Sequence, residues 1–363
     1  MKVIIFTRRN ITPRWRYIAN QLSCAEVKVV GLLDDGCDIN LMPSFYEFYH
    51  RQDTESYALT VVGEDKCQEI IRRCRLLRNL KKSIALKLIG AFWLTLERLI
   101  DQSQPDVLLS TLVDFYVPDI LQRILEQRKI RFIGMCAGIL KNQMNFSALG
   151  EYNFIREPDR TYMDWAEKEI LKPTFSPWVV SRKYNWNEFA RSKLFWDARS
   201  ILLRMQSFWN KDPLNPEYMI THQPGDDYYI RWSDWKIVNY LDTKWEEKLR
   251  SVVFDKRVFI GLQYNPECST DYWVRDLKLA DWISSITEIT KVLTATGFTI
   301  FLKDHPSMFG LRRKDIYEIL SQFKDVIFVP YEVKSQELID KCKTTFTWTG
   351  TIGIQSAWLV DVR

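Results

Sequence analysis

The chain has 363 residues, more than one ordinary domain of about 100–200 residues accommodates. Its 51 basic and 46 acidic residues leave a formal charge of +5, too mild a balance for a nucleic-acid binder, which gathers positive charge on one face. Hydrophobic residues at 46% and charged residues at 27% exclude wholesale disorder, and no apolar run reaches the roughly 18 residues of a membrane-spanning helix.

The N-terminal run Met1-Lys-Val-Ile-Ile-Phe-Thr is too short in apolar residues for a secretory signal and reads as a buried first strand. Seven cysteines, at 24, 37, 67, 74, 136, 268 and 342, include no Cys-x-x-Cys pair. Neither a disulfide framework nor a zinc site follows from them, and a reducing cytoplasm is the expected compartment.

In chain order, the patterns predict a strand over 2–7, a helix over 13–21 and a strand over 27–33 that ends at Asp34-Asp35-Gly36. A weaker strand is predicted over 56–62. Ile70, Cys74, Leu77, Leu80, Ile84, Leu88, Phe92, Leu96 and Leu99 then recur at helical spacing, predicting one long helix over 70–99. A strand over 106–110, a helix over 118–127 and a strand over 130–135 follow. The stretch 141–256 breaks this alternation and reads as a mainly helical connector, with helices over 161–171 and 192–208. Strands return at 258–263, 299–303, 326–329 and 344–348, separated by helices over 280–295, 316–323 and 335–342, with a last helix opening at Thr351. The predicted class is α/β: two facing doubly wound, Rossmann-like domains, 1–140 and 257–363, joined by 141–256.

Chemistry concentrates at predicted strand ends in the C-terminal half. Gly261-Leu-Gln-Tyr-Asn-Pro-Glu-Cys-Ser-Thr270 offers Gln263, Glu267, Ser269 and Thr270; Phe301-Leu-Lys-Asp-His-Pro-Ser307 runs into Lys303 and His305, one of three histidines; and Thr347-Trp-Thr-Gly-Thr-Ile-Gly353 joins a strand to a helix start. Free amides and threonine hydroxyls at a helix N-terminus form a phosphate site. Each feature alone is equally a capped loop or helix cap, but three polar strand ends in one parallel sheet converge on one crevice. No P-loop lysine motif and no G-x-G-x-x-G is present, so ordinary ATPase and dinucleotide readings lose support.

The block Leu302-Lys-Asp-His-Pro-Ser-Met-Phe-Gly310, with Val326–Pro330, Glu337-Leu-Ile339, Thr349-Gly-Thr-Ile-Gly353 and the 261–270 segment, resembles bacterial capsule and surface polysaccharide biosynthesis proteins. These are similar to GT-B glycosyltransferases such as the bacterial Kdo transferases and, more distantly, to sialyltransferases with a His-Pro motif. The resemblance implies transfer of a sugar from a nucleotide donor, CMP-Kdo first, to a growing surface polysaccharide or glycolipid. A UDP- or GDP-sugar donor and a non-catalytic scaffold role are the rivals. It implies that His305 and Pro306 approach the donor phosphate, that Thr349, Gly350 and Thr351 cradle it, and that Gln263, Glu267, Ser269 and Lys303 line the pocket. The nucleotide-sugar is a cosubstrate, with no cofactor and no metal expected.

Asp35, at a strand's carboxyl end, resembles the paired-acid-glycine motif of sialyltransferases and is the candidate base for an inverting transfer; a strand-ending turn accounts for the same residues. Two departures stand out. Gln355 occupies a position where the family carries a glutamate that commonly holds the donor ribose. The chain also ends at Arg363, where relatives continue, so an incomplete second domain is expected.

Arg72, Arg73, Arg75, Arg78, Lys81, Lys82 and Lys87 occur with no acid between Glu69 and Glu97. On a single helix over 70–99 they form one basic face, either solvated or lying on an anionic inner membrane. The expected protein is thus cytoplasmic or peripheral on that membrane. Tryptophans 165, 178, 186, 196, 209, 232 and 235 are candidates either for acceptor-sugar contacts or for core packing.

Overall fold

In a computed structural model of the chain, the apolar runs of the first third become a parallel sheet. The structure describes residues 1–23, 25–138, 140, 142–149, 155–170, 172, 183–219 and 228–361, the side chains of 358–361 apart. The chain divides into two compact units. The first comprises Met1–Phe175, Leu202–Thr221 and Asp271–Leu277; the second comprises Ser176–Ile201, His222–Thr270 and Lys278–Arg363.

The first unit contains β1 (Lys2–Phe6), β2 (Glu26–Gly31), β3 (Ile39–Asn40), β4 (Val107–Thr111), β5 (Arg131–Ala137) and β6 (Met144–Ser147). Their order is β3-β2-β1-β4-β5-β6. Ile5 is paired with Val29 on one side and Leu109 on the other, all parallel, and only β6 runs antiparallel, with Met135 opposite Phe146. Val3, Ile5 and Val29 pack with Trp15 of the helix Thr12–Gln21, while the alternate residues Ile4, Phe6 and Val30 are equally buried. Burial on both faces is what a parallel sheet covered by helices requires.

The second unit contains β7 (Arg257–Gly261), β8 (Thr299–Lys303), β9 (Val326–Val329) and β10 (Thr344–Thr347), all parallel, in the order β10-β7-β8-β9. One face, carrying Val258, Ile260, Ile300, Leu302 and Phe328, packs with Trp282, Ile286, Tyr317 and Leu320. The other, carrying Phe259, Phe301, Ile327 and Val329, packs with Trp245, Leu249, Leu338 and Ile339. Both units are doubly wound α/β sheets, as the alternation predicted.

Two local expectations are corrected. Residues 56–62 are not a strand: Thr54–Tyr57 is an α-helical turn and Ala58–Gly63 continues it as a π-helix. Asp53 caps this segment, its side chain accepting from the Ser56 N–H at 3.1 Å, and local capping overrides the β-branched composition. The helix over 70–99 is broken. One helix covers Glu64–Arg73, a 3-10 turn covers Leu77–Asn79, and a second helix covers Lys82–Ser103, with extended backbone at Cys74, Leu80 and Lys81. Apolar spacing persists across the break because Cys74 and Leu77 still face the core.

The break also dissolves the single basic face. Arg73 is buried and donates to the carbonyls of Asp271 (3.1 Å) and Val274 (2.9 Å). Arg75 and Arg78 lie 3.2 Å and 3.5 Å from the Asp271 carboxylate. Three of the seven cations are therefore internal struts. Lys87 stands 4.4 Å over the Tyr49 ring, and Lys82 pairs with Glu64 at 3.1 Å.

The helices predicted in the 141–256 stretch form over Arg160–Ile170 and Trp186–Trp209; position 171 lies outside the described residues, as does Trp178. Among the described residues, no helix is long and apolar enough to cross a membrane.

Candidate functional site

In the second unit the chain winds from β7 to β8 and β9 on one side and returns to β10 on the other, so the strand order reverses between β7 and β10. Loops leaving the carboxyl ends of two such strands part around a crevice, the usual ligand position in an open parallel sheet. The predicted segments 262–267 and 348–351 leave β7 and β10 at this point, and His305 follows the neighbouring β8.

The helix Thr351–Asp361 begins directly after Gly350, whose φ of +108° is a glycine conformation and beside which a Cβ would meet nothing within 4 Å. Two further glycines draw that helix onto the sheet. A Cβ on Gly261 of β7 would meet Ile352 Cδ1 at 2.5 Å, and one on Gly353 would meet Thr347 Cγ2 at 3.0 Å. The helix N-terminus, with its positive dipole end, is thereby packed against the ends of β7 and β10. Thr349 and Thr351 are half-buried beside it, and Thr347 Oγ1 donates to the Thr349 carbonyl at 3.0 Å. Gln355, half-buried, lies one turn further on the same helix side as Thr351.

The loop after β7 braces itself. Thr270 Oγ1 donates to the Glu267 carbonyl at 2.8 Å, and Ser269 Oγ donates to the Glu267 carboxylate at 2.5 Å, so the Ser269 hydroxyl already has an internal partner. Gln263 is buried, at 4% exposure. Among the described residues its side-chain Nε2 has no hydrogen-bond partner, an arrangement that normally costs about 1–3 kcal/mol unless a ligand or water answers it.

At the end of β8, His305 Nδ1 accepts from the Ser307 N–H at 3.1 Å. The neutral ring therefore carries its proton on Nε2. Pro306 opens the short 3-10 turn that supplies this amide, and the Tyr264 ring meets the imidazole edge-on at 5.6 Å between centroids. Lys303 is buried, with Nζ 3.3 Å from the Asp304 carbonyl oxygen. Burial pushes its pKa down to about 8, with Asp304 and Glu332 opposing the shift.

Sequence reasoning missed what holds His305 in place. Asp304 is buried and accepts from Arg312 Nη2 (2.7 Å), the His305 N–H (2.7 Å), Tyr317 Oη (3.0 Å) and Tyr331 Oη (2.8 Å). Burial pushes its carboxyl upward, but the Arg312 charge and these hydrogen bonds outweigh that and hold it below the usual carboxylate range. The strand-end rule applied to β9 would have singled out Tyr331. Arg312, eight residues along an irregular loop, carries no such signal.

In the first unit, Asp35 is exposed after β2 and accepts from Thr12 Oγ1 at 3.0 Å. The order of that sheet reverses between β1 and β4. There Arg8 ion-pairs with Asp114 and with Glu217, the latter at 3.1 Å, and stacks 4.3 Å over Phe115. Arg8 also follows a strand's carboxyl end and was legible by the same rule. Among the candidate tryptophans, Trp186, Trp232 and Trp235 gather around Phe189, at 5.4–6.3 Å between ring centroids; Trp235 packs against the core, whereas Trp186 and Trp232 are exposed. Among the described residues, no group of three or more His, Cys, Asp or Glu is arranged to hold a metal ion.

No family model matches the chain, and no curated protein matches it. Solved structures similar to it include a UDP-GlcNAc 2-epimerase from Methanocaldococcus jannaschii, at 13% identity and TM-score 0.24 over 99% of this chain and 82% of that one. The Neisseria meningitidis UDP-GlcNAc 2-epimerase bound to UDP-GlcNAc is similar at 13% identity and TM-score 0.23, over 97% and 78% of the two chains. The S. aureus MnaA–UDP structure is similar at 11% identity and TM-score 0.22, over 97% and 74%. The two-sheet architecture stands on the strand orders given above.

Proposed function

We propose that the second unit binds the phosphate of a nucleotide-sugar at the β7–β10 switch point, and that the chain transfers the sugar to a glycan acceptor. The observation that supports this reading is the pairing of the glycine-packed helix N-terminus at Thr351 with the buried, unanswered amide of Gln263. Helix amides with the Thr349 and Thr351 hydroxyls bind the phosphate, and His305 donates from Nε2 to charge developing on the departing nucleotide. Lys303 adds a proton-sensitive positive charge. Gln355 hydrogen-bonds the ribose in place of an acid, and Glu267 shapes the loop rather than carrying a proton. Asp35 is the proposed base, with Thr12 fixing one carboxylate oxygen. CMP-Kdo is the donor that the sequence resemblance favours; UDP- and GDP-sugars are the competing arms.

The test is nucleotide release from CMP-Kdo, UDP-sugars and GDP-sugars, with and without a polysaccharide acceptor. Acceptor-dependent release, lost in His305→Ala and strongly reduced in Asp35→Asn, supports transfer. Full activity of Asp35→Asn removes that residue as the base. Conversion of the sugar-nucleotide without an acceptor overturns transfer, and binding without turnover leaves a scaffold that retains the donor site.

A further inference from the structure

The opening turns of the helix Trp186–Trp209 belong to the second unit. There Trp186, Phe189, Lys193 and Asp197 follow one another at the spacing of a single helix face. Tyr229, Trp232 and Trp235, of the same unit, lie against that face. Phe189 is buried and Trp235 packs on the core, yet Trp186 and Trp232 remain 45% and 47% exposed. Their ring centroids are 5.8 Å apart, and Trp186 stacks on Phe189 at 5.7 Å. Two adjoining indoles are thus fixed by buried aromatics while staying open to solvent.

The polar neighbours choose the ligand. Lys193 has only 2% side-chain exposure, a position an ammonium takes only when it is paired. Its Nζ donates to both carboxylate oxygens of Asp197, at 2.6 Å to Oδ1, and to Tyr229 Oη at 3.2 Å. It also stands 5.8 Å from the Trp232 ring centre. Asp197, by contrast, keeps 32% side-chain exposure. The buried cation therefore holds a solvent-facing carboxylate beside an exposed indole. That carboxylate still has lone pairs for hydroxyl donors, and Tyr229, accepting from Lys193, retains its own O–H proton to give.

We infer that Trp186, Trp232 and Asp197 form a subsite for a neutral sugar ring of a glycan. The C–H face of a pyranose covers the indoles, and hydroxyls at its edge donate to Asp197 and accept from Tyr229. A lipid surface or an apolar protein face would desolvate the carboxylate without offering it a donor. An acidic sugar would bring like charge to Asp197. The inference rests on the reading of the chain as a protein with a glycan acceptor, and gives that glycan a place in the second unit.

The experiment titrates the full chain with three neutral glycans, chitohexaose, maltohexaose and laminarihexaose, and with the acidic polymer colominic acid, following tryptophan fluorescence and calorimetric heat. At least one neutral glycan should bind, equally at low and high salt, and more tightly than colominic acid. Trp186→Ala and Trp232→Ala should each weaken that binding about tenfold while melting like the parent, and Trp232→Phe should keep part of the affinity. Leu194→Ser, at an exposed position of the same helix, should bind like the parent. Asp197→Asn should also weaken binding; because it deprives Lys193 of its anion as well, the tryptophan variants carry the decision. No binding of any neutral glycan, binding unchanged in both tryptophan variants, preference for colominic acid, or a dimer that Trp232→Ala dissociates would each overturn the inference. Glycan binding that these variants lose, without acceptor-dependent nucleotide release, overturns the transfer reading alone. Acceptor-dependent release that persists undiminished in both variants overturns the subsite alone.

Discussion

Arg312 Nη2 stands 2.7 Å from Asp304 Oδ1 and 2.6 Å from the backbone carbonyl of Gln263. One guanidinium thus ties the loop after β8 to the loop after β7, while Asp304 Oδ1 also holds the His305 amide. The pair is almost wholly inaccessible, at 4% and 1% side-chain exposure, so its role is to fix the two loops rather than to meet ligand.

Arg312→Met should therefore destabilise the protein by about 3–5 kcal/mol at neutral pH, because a buried carboxylate loses its partner. Native Asp304 lies below its ordinary range, so its stabilising effect is fully present above the unfolded-state pKa and is lost as pH falls through the lower folded value. In Arg312→Met the carboxyl instead moves upward, and the penalty should shrink as acid protonates it. Urea unfolding at pH 7 and pH 5 measures both; a pH-independent penalty contradicts the assignment.

Lys303 gives a slope of the same sign at alkaline pH. Its folded pKa of about 8 lies below the ordinary 10.5, so between these values the unfolded chain binds more protons and stability rises with pH. Lys303→Met should remove a rise of about 2–3 kcal/mol between pH 8 and pH 10.5. If a ligand phosphate reaches this ammonium, nucleotide binding near pH 8 should take up a proton, visible by calorimetry in buffers of different ionisation enthalpy; absence of uptake removes Lys303 from the site.

Gln263→Leu should separate stability from binding. With Nε2 unanswered, the apolar replacement should leave stability unchanged or raise it by up to about 1 kcal/mol, while weakening nucleotide binding about tenfold. A loss of stability with binding intact would make the amide purely structural.

Much of the architecture was legible because buried parallel strands write themselves as apolar runs and their helices as 3.6-residue periodicity. Eight of the ten strands among the described residues were marked this way. The two-residue β3 and the antiparallel β6 were not, being too short or too polar to stand out. The 56–62 misreading came from β-branched composition overridden by the Asp53 cap, whereas the 70–99 misreading has another cause: apolar spacing records which residues face the core, not whether the backbone between them is continuous. Cys74 and Leu77 keep their phase across a break made by Arg73, Arg75 and Arg78 reaching for the 271–275 segment. The strand-end rule marked Gln263, His305 and Thr349–Thr351 as candidates, and the structure places them after β7, β8 and β10, whereas Arg312 and Tyr317 reach Asp304 through tertiary contacts that no local pattern encodes.

Gly90 offers a stability test apart from the site. A Cβ there would meet the Thr54 carbonyl oxygen at 1.9 Å, a backbone atom fixed by the capped turn. Gly90→Ala should cost about 2 kcal/mol or more despite the better helix propensity of alanine. A stabilised variant in thermal unfolding would show that the helix Lys82–Ser103 does not approach Thr54 so closely.

The most direct test of the donor site is a thermal-unfolding titration with CMP, UDP and GDP, run beside His305→Ala and Thr349→Val/Thr351→Val. A nucleotide at 100 times its dissociation constant adds about 2.7 kcal/mol to native stability. A rise in melting temperature with one nucleotide, reduced in both variants, is the predicted result. Unchanged unfolding with all three nucleotides, in a chain that melts cooperatively, would contradict it.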